Sequence, residues 1–164
     1  MGNADVIRSL YEAFQRRDGA AMGACYAPDA RFEDPVFSVS GGEVPTLWRM
    51  LCSRATDLRI ELKDIRVNGD AGSAHWEAWY TFQATGRPVH NVIDAALTLK
   101  DGKIVAHRDR FDFHRWAGQA LGISGKLLGW TPQFRAAVQR RSAAALAGYA
   151  EQQGLTARTP HVDT

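Results

Sequence analysis

Ile7, Leu10, Tyr11 and Phe14 recur at i, i+3, i+4 and i+7, the spacing of a helix with one apolar face. Asp18-Gly19 breaks that helix, and Asp18 is placed to cap a second one. The second helix carries Met22, Cys25 and Tyr26 and is expected to stop before Pro28. A short extended run, Arg31 to Val36, follows, and then a Ser/Gly-rich loop over 37–44. Pro45 suits the first turn of a third helix, with Leu47, Trp48, Leu51 and Cys52 on its apolar side.

Past residue 57 the period changes from helical to alternating. Leu58, Ile60 and Leu62 alternate as strand positions do, and Ile65 and Val67 resume in the opposite phase, which predicts a bulge. Residues 73–84, 89–99 and 104–114 read as three more strands, separated by the turns Thr85-Gly86-Arg87-Pro88 and Lys100-Asp101-Gly102-Lys103. Helices followed by an antiparallel meander predict an α+β domain, with helices on one face of a curved sheet. Residues 117–131 are Gly-rich and apolar. Thr131-Pro132 then signals a last helix, carrying Phe134, Val138, Ala145, Leu146 and Tyr149 on one side. The expected organisation is a domain over 1–116, an extension over 117–153 that packs on or lids it, and a disordered tail over 154–164.

Composition narrows the function classes. The chain has 164 residues, 45% hydrophobic and 23% charged, which suits one globular domain able to bury a core unaided. The net charge is +2 and the basic residues are dispersed, so no nucleic-acid partner is expected. Cys25 and Cys52 lack any CxxC or Cys/His spacing, so they are expected as small buried thiols and not as zinc ligands. No signal pattern and no bilayer-length apolar run is present, so a cytoplasmic protein without membrane contact is expected. Five tryptophans point to an aromatic-rich core or a large apolar pocket.

Chemistry enters at Phe32-Glu33-Asp34-Pro35-Val36. Proline restricts the residue before it to extended geometry. Asp34 is therefore a carboxylate held in place between apolar neighbours, the setting of a positioned base. A second candidate set lies on the last strand, where His107, Asp109, Phe111 and Phe113 share a face by period-2 alternation.

The order of elements, with Ala30-Arg31-Phe32-Glu33-Asp34-Pro35-Val36 after two helices, resembles the ketosteroid isomerases of the nuclear transport factor 2-like, or SnoaL-like, superfamily. The similarity covers roughly residues 6–113. It implies a cone formed by a curved sheet and three helices around an apolar pocket, with an extra C-terminal helix in this chain. On that resemblance Asp34 falls on the general base. Val92-Ile93-Asp94 resembles the segment carrying a protonated aspartic acid, so Asp94 is expected as the neutral oxyanion donor. Gly102-Lys103-Ile104-Val105 matches the last hairpin. Ketosteroid isomerase is the worked case of two acids whose environments assign them opposite roles.

The departures from that pattern redirect the chemistry. Leu10 stands at the oxyanion tyrosine and Leu51 at the tyrosine that supports it. Tyr11 is one residue on, about 100° round the helix, and is expected to face elsewhere. The isomerases have apolar residues where this chain has His107 and Asp109. The run His107-Arg108-Asp109-Arg110-Phe111-Asp112 also resembles a strand of limonene epoxide hydrolases whose catalytic carboxylate matches Asp109. The partner Arg and Asp of those enzymes align with Trp76 and Ala78.

The resulting expectation is a cofactor-independent acid/base enzyme, isomerising or dehydrating a small apolar cyclic substrate. Asp34, Asp94, His107 and Asp109 are its catalytic candidates. Phe32, Trp76, Tyr80 and Phe111 are its substrate-binding candidates. No metal or organic cofactor is expected. His75, Glu77 and Trp79 on the opposite sheet face are expected in a homodimer contact. The alternatives are a binding module for a lipid-like or aromatic ligand, or an epoxide-hydrolase-like enzyme.

Overall fold

A computed structural model describes residues 1–155. The elements run α1 (Asn3–Gln15), α2 (Gly19–Gly23), β1 (Tyr26–Glu33), β2 (Ser38–Ser40), α3 (Glu43–Arg54), β3 (Arg59–Asn68), β4 (Ala71–Phe82), β5 (Arg87–Lys100), β6 (Lys103–Arg110), α4 (Phe113–Leu121), α5 (Ile123–Leu128) and α6 (Pro132–Gln152). The six strands form one curved, unclosed sheet in the order β2-β1-β6-β5-β4-β3. The β1–β6 pair is parallel and every other pair antiparallel. All but the first two residues of the expected tail lie outside the described residues.

The aromatic side chains knit α1 and α3 to the concave face. Phe14 meets Trp48 and Trp76 edge-on at 5.4 and 5.6 Å between ring centroids, and Phe32 meets Trp48 at 5.0 Å. Edge-to-face geometry suits the ring quadrupoles and adds to the burial of each ring. Leu10 and Tyr11 are both buried. Tyr11 packs on Trp76 at 5.3 Å, inside the core, as its place on the apolar face of the helix predicts. The apolar stripe of α1 is wide enough to carry both positions inward.

Three differences from the sequence reading matter for the site. The second helix ends at Gly23, and Tyr26 is already strand, paired with Ile104. Pro28 is accommodated because the β1–β6 register shifts between Tyr26 and Arg31, and proline sits at such irregularities without costing a ladder bond. The last strand stops at Arg110, where the Asp112 carboxylate accepts from the Arg115 N–H at 3.0 Å and caps α4. Near the start of β6, Val105 is passed over in the pairing with β5, since Thr98 faces Ala106 and Leu99 faces Ile104. This bulge puts both Ile104 and His107 inside, although strict alternation from Ile104 would turn Arg108 inward.

A smaller apolar cluster closes the end of the sheet. It joins Val36, Val89, Phe113, Trp116, Ala117 and Ala120, with Phe134 and Val138 of α6 packed against it. α4 is fastened there by Arg87 Nε donating to the Gln119 carbonyl and the His90 N–H donating to Gln119 Oε1, at 2.8 and 2.7 Å. Of α6 only Leu146 is fully buried, so the helix lies on the body as a partial cover.

Candidate active site

Between α6 and the sheet lies a cleft of about 1500 Å³. Its walls come from the β1–β2 connection, the end of β6, the first turns of α3, and α6. Asp34 and Asp109 both open into it.

Asp34 is held by its own turn. Its Oδ1 accepts the Val36 N–H at 2.7 Å and the Phe37 N–H at 2.6 Å, while its backbone N–H donates to the Phe37 carbonyl. Asp-Pro supplies this geometry, an Asx turn stiffened by the ring. One oxygen is thus fixed and the other remains for the cleft. The carboxyl touches solvent through the cleft mouth, yet protein surrounds it on most sides. Burial pushes its pKa up to about 7, against the two N–H bonds, with the charge of Asp109 pushing the same way as burial.

Asp109 is braced from behind. His107 Nε2 lies 2.7 Å from Asp109 Oδ1, and His107 Nδ1 lies 2.7 Å from the Tyr26 hydroxyl. The side chains of His107 and Asp109 are only 1% and 5% exposed. Burial, then the Asp109 charge, raises the Tyr26 pKa well above its ordinary value, so its hydroxyl keeps its proton. With a neutral imidazole and an ionised Asp109, Tyr26 donates to Nδ1 and Nε2–H donates to the carboxylate. The ring is also clamped by stacking on Tyr26 and Trp48 and by the edge of Phe32.

The other candidates fall elsewhere. Asp94 lies on the convex face, where His75 Nδ1 meets its Oδ1 at 2.6 Å, and its side chain is 73% exposed. The expectation that Asp94 shares a buried pocket with Asp34 is therefore corrected. On β5 the inward residues are Val89, Ile93, Ala95, Leu97 and Leu99, and Asp94 takes the opposite phase. Phe111 lines the cleft. Phe32 and Trp76 are core residues behind it, touching His107 and Tyr11. Tyr80 accepts from Trp116 Nε1 at 2.8 Å and joins the small cluster at the sheet end, its pKa raised to about 12 by burial.

Several site residues were not singled out from sequence. Tyr26 was hidden by its assignment to a helix, and Tyr11 by the helical-wheel argument. The Tyr11 hydroxyl and the Trp76 indole N–H are buried without a partner among the described residues. Arg135 Nε and Gln139 Nε2 both donate to the Pro35 carbonyl, at 3.3 and 3.0 Å, tying α6 to the Asp34 turn. Within the extension expected to pack on or lid the domain, residues 121–130 do not line the cleft; α6 does. No cluster of three or more His, Cys, Asp or Glu side chains suited to a metal occurs among the described residues.

A family model for the SnoaL-like domain matches residues 7–107, well over half the chain. The chain belongs to the SnoaL-like domain family. Solved structures show the same nuclear transport factor 2-like, ketosteroid isomerase-like architecture for this SnoaL-like domain. IdmH, a putative polyketide cyclase from Streptomyces antibioticus, is 24% identical with a TM-score of 0.62, over 75% of this chain and all of IdmH. An LEH-like epoxide hydrolase from M. tuberculosis is 20% identical with a TM-score of 0.62, over 77% and 95% of the two chains. A hypothetical protein with a ketosteroid isomerase-like fold from Catenulispora acidiphila, solved with trimethylamine, is 15% identical with a TM-score of 0.65, over 77% and 97%. At these identities the likeness establishes fold and not chemistry. No curated protein sequence matches the chain.

Proposed function

We propose that this SnoaL-like domain is an acid/base catalyst that needs no cofactor and isomerises or dehydrates a small apolar cyclic substrate. The observation that carries the reading is Asp34, which has one oxygen locked by two N–H groups, the other free toward the cleft, and a pKa of about 7. A carboxyl near the working pH is both a stronger base than an exposed aspartate and a competent acid on the return step. Asp34 takes a proton from carbon beside a carbonyl. It then returns that proton to another carbon, or to a departing hydroxyl. Asp109, oriented by His107, is the second carboxylate, placed to bind a substrate hydroxyl and to keep Asp34 basic. A putative polyketide cyclase on the same fold supports a cyclic substrate.

The test is a turnover screen of cyclic ketones and hydroxyketones with wild type, Asp34→Asn and Asp109→Asn. Full activity in Asp34→Asn would overturn the role of Asp34. The cleft volume favours a second reading. At about 1500 Å³ it exceeds the several hundred typical of small-molecule sites, as a binder of a long lipid-like or aromatic ligand would require. Tight binding with no product from any substrate would select that reading.

Two further expectations belong with this proposal. A homodimer through the convex sheet face would use the His90–Glu77 and Arg59–Trp79 contacts found there, and sedimentation velocity tests it. A cytoplasmic location is supported by the free thiols of Cys25 and Cys52. No helix among the described residues is long and apolar enough to cross a membrane.

A further inference from the structure

Helix α5 is docked with its apolar residues facing out. The contact with α4 runs through glycine, since a Cβ on Gly125 would lie 1.9 Å from the Ala117 carbonyl oxygen. Only glycine permits that approach. The bulky side chains are left in solvent: Ile123 is 75% exposed, Leu127 66%, Leu128 50% and Trp130 71%. Chains normally turn the opposite face of a short helix inward, so this ridge is built by the packing and is not a scatter of single exposed residues.

The ridge is prepared to lose water. The Gly125 carbonyl accepts from the Gly129 N–H at 2.9 Å, and the Lys126 carbonyl is met by His114 Nε2 at 2.8 Å. The Leu127 carbonyl accepts the Trp130 indole N–H at 3.0 Å, and the Leu128 carbonyl accepts the Thr131 hydroxyl at 2.7 Å. The end of α5 therefore presents no unpaired carbonyl, and the Trp130 ring has its one polar atom satisfied. Seating these groups in an apolar medium leaves no orphaned hydrogen-bonding group.

A cationic groove adjoins the ridge. It measures about 460 Å³ and is lined by Arg87, Arg115, Lys126 and His114, with Asp112 the one carboxylate. Asp112 is engaged in capping α4. Arg115 and Lys126 make no ion pair among the described residues.

We infer that the α5 ridge and its cationic flank form a docking surface for an anionic lipid bilayer, with Trp130 and Leu127 in the interfacial layer and Arg115 and Lys126 against the headgroups. An exposed tryptophan beside basic residues is the composition that seats peripheral proteins at that depth. Charge selects this occupant over a second copy. A two-fold contact through the same ridge would set the cations of one copy against those of the other. The contact is peripheral. It departs from the sequence expectation of no membrane because the apolar run 117–131 did not reveal which of its faces the glycines would bury.

The test is co-sedimentation of the full chain with vesicles of phosphatidylglycerol and phosphatidylcholine in equal parts, against phosphatidylcholine alone. Binding is expected only to the anionic vesicles and is expected to weaken as salt rises. Arg115→Gln with Lys126→Gln should weaken it roughly 25-fold, at about fivefold per cation. Leu127→Ser with Trp130→Ser should abolish it while leaving the circular dichroism unchanged, since these side chains support no core. The proposal is overturned by any of three results: no binding to anionic vesicles at low salt; binding indifferent to both variant pairs; or a dimer in sedimentation velocity that Leu127→Ser dissolves, without vesicle binding. Full competition by inorganic phosphate would also overturn it, by reducing the site to a simple anion groove.

Discussion

His107 bonds Asp109 through Nε2 at 2.7 Å while its other nitrogen meets the Tyr26 hydroxyl, so the ring has no free polar atom. Tyr26→Phe removes one end of this chain and leaves Nδ1 buried and unpaired. The expected cost is about 1–3 kcal/mol of stability, read as a fall in urea midpoint at unchanged slope. Turnover should fall less in Tyr26→Phe than in His107→Ala, which frees Asp109 altogether. Equal losses in kcat would show that Tyr26 contributes as much as the histidine it braces.

Asp34→Asn keeps an oxygen to accept the Val36 and Phe37 N–H groups but cannot carry a mobile proton. The expected loss in kcat is about 10²–10⁴-fold. Stability should move the other way. The folded pKa of Asp34, about 7, lies above its unfolded value, so its contribution is present at low pH and is lost as pH rises through about 7. The melting temperature of Asp34→Asn should therefore gain on wild type between about pH 4 and pH 7 and level off above it. A difference that does not vary with pH would mean that Asp34 titrates as an ordinary carboxylate.

The pH–rate profile follows from the same group. With Asp34 ionised as the base, kcat/KM should rise with pH through a midpoint of about 7. Asp109→Asn removes a negative charge that raises this pKa, so the midpoint of the residual activity should drop. An unmoved midpoint would separate the two carboxylates electrostatically.

Asp94→Ala should change neither turnover nor, beyond about 0.5 kcal/mol, stability, because among the described residues its side chain meets only the exposed His75. A large loss of kcat would return Asp94 to the site and undo the assignment of faces on β5.

How far the chain could be read in advance varies with the physics behind each feature. The period-2 face of His107 and Asp109 was legible because buried and exposed residues alternate cleanly there. Asp94 misled because Val92 and Ala96 are apolar yet sit on its own, outward face, so apolar neighbours did not report phase. Phase on β5 is set by its register with β4 and β6, which no local pattern carries. Tyr26 misled because three apolar residues before a proline fit a helix end as well as a strand start. Asp-Pro was enough to mark Asp34 as a held carboxylate, but the extended run read through Val36 ends at Glu33, and Asp34 opens a turn instead. The position of α6 over that turn depends on two long side chains reaching the Pro35 carbonyl, a contact without a sequence signature.

Arg135→Ala with Gln139→Ala releases that carbonyl. The expected result is a raised KM and a lower midpoint in the pH–rate profile, since a helix held less firmly admits water to Asp34. Unchanged values of both would show that apolar packing by Leu146 and its neighbours is sufficient.

The cover over Asp34 follows the whole sheet in chain order. A version cut before Pro132 would retain β1, its Asx turn and Asp109, and would present Asp34 to bulk water. Its pKa would then fall from about 7 toward the ordinary carboxylate range. Chain length, set far from the chemistry, would thus tune the proton affinity of a group that no pocket substitution had touched. Shortening α6 offers a means of resetting the working pH of the site without altering Asp34 or Asp109.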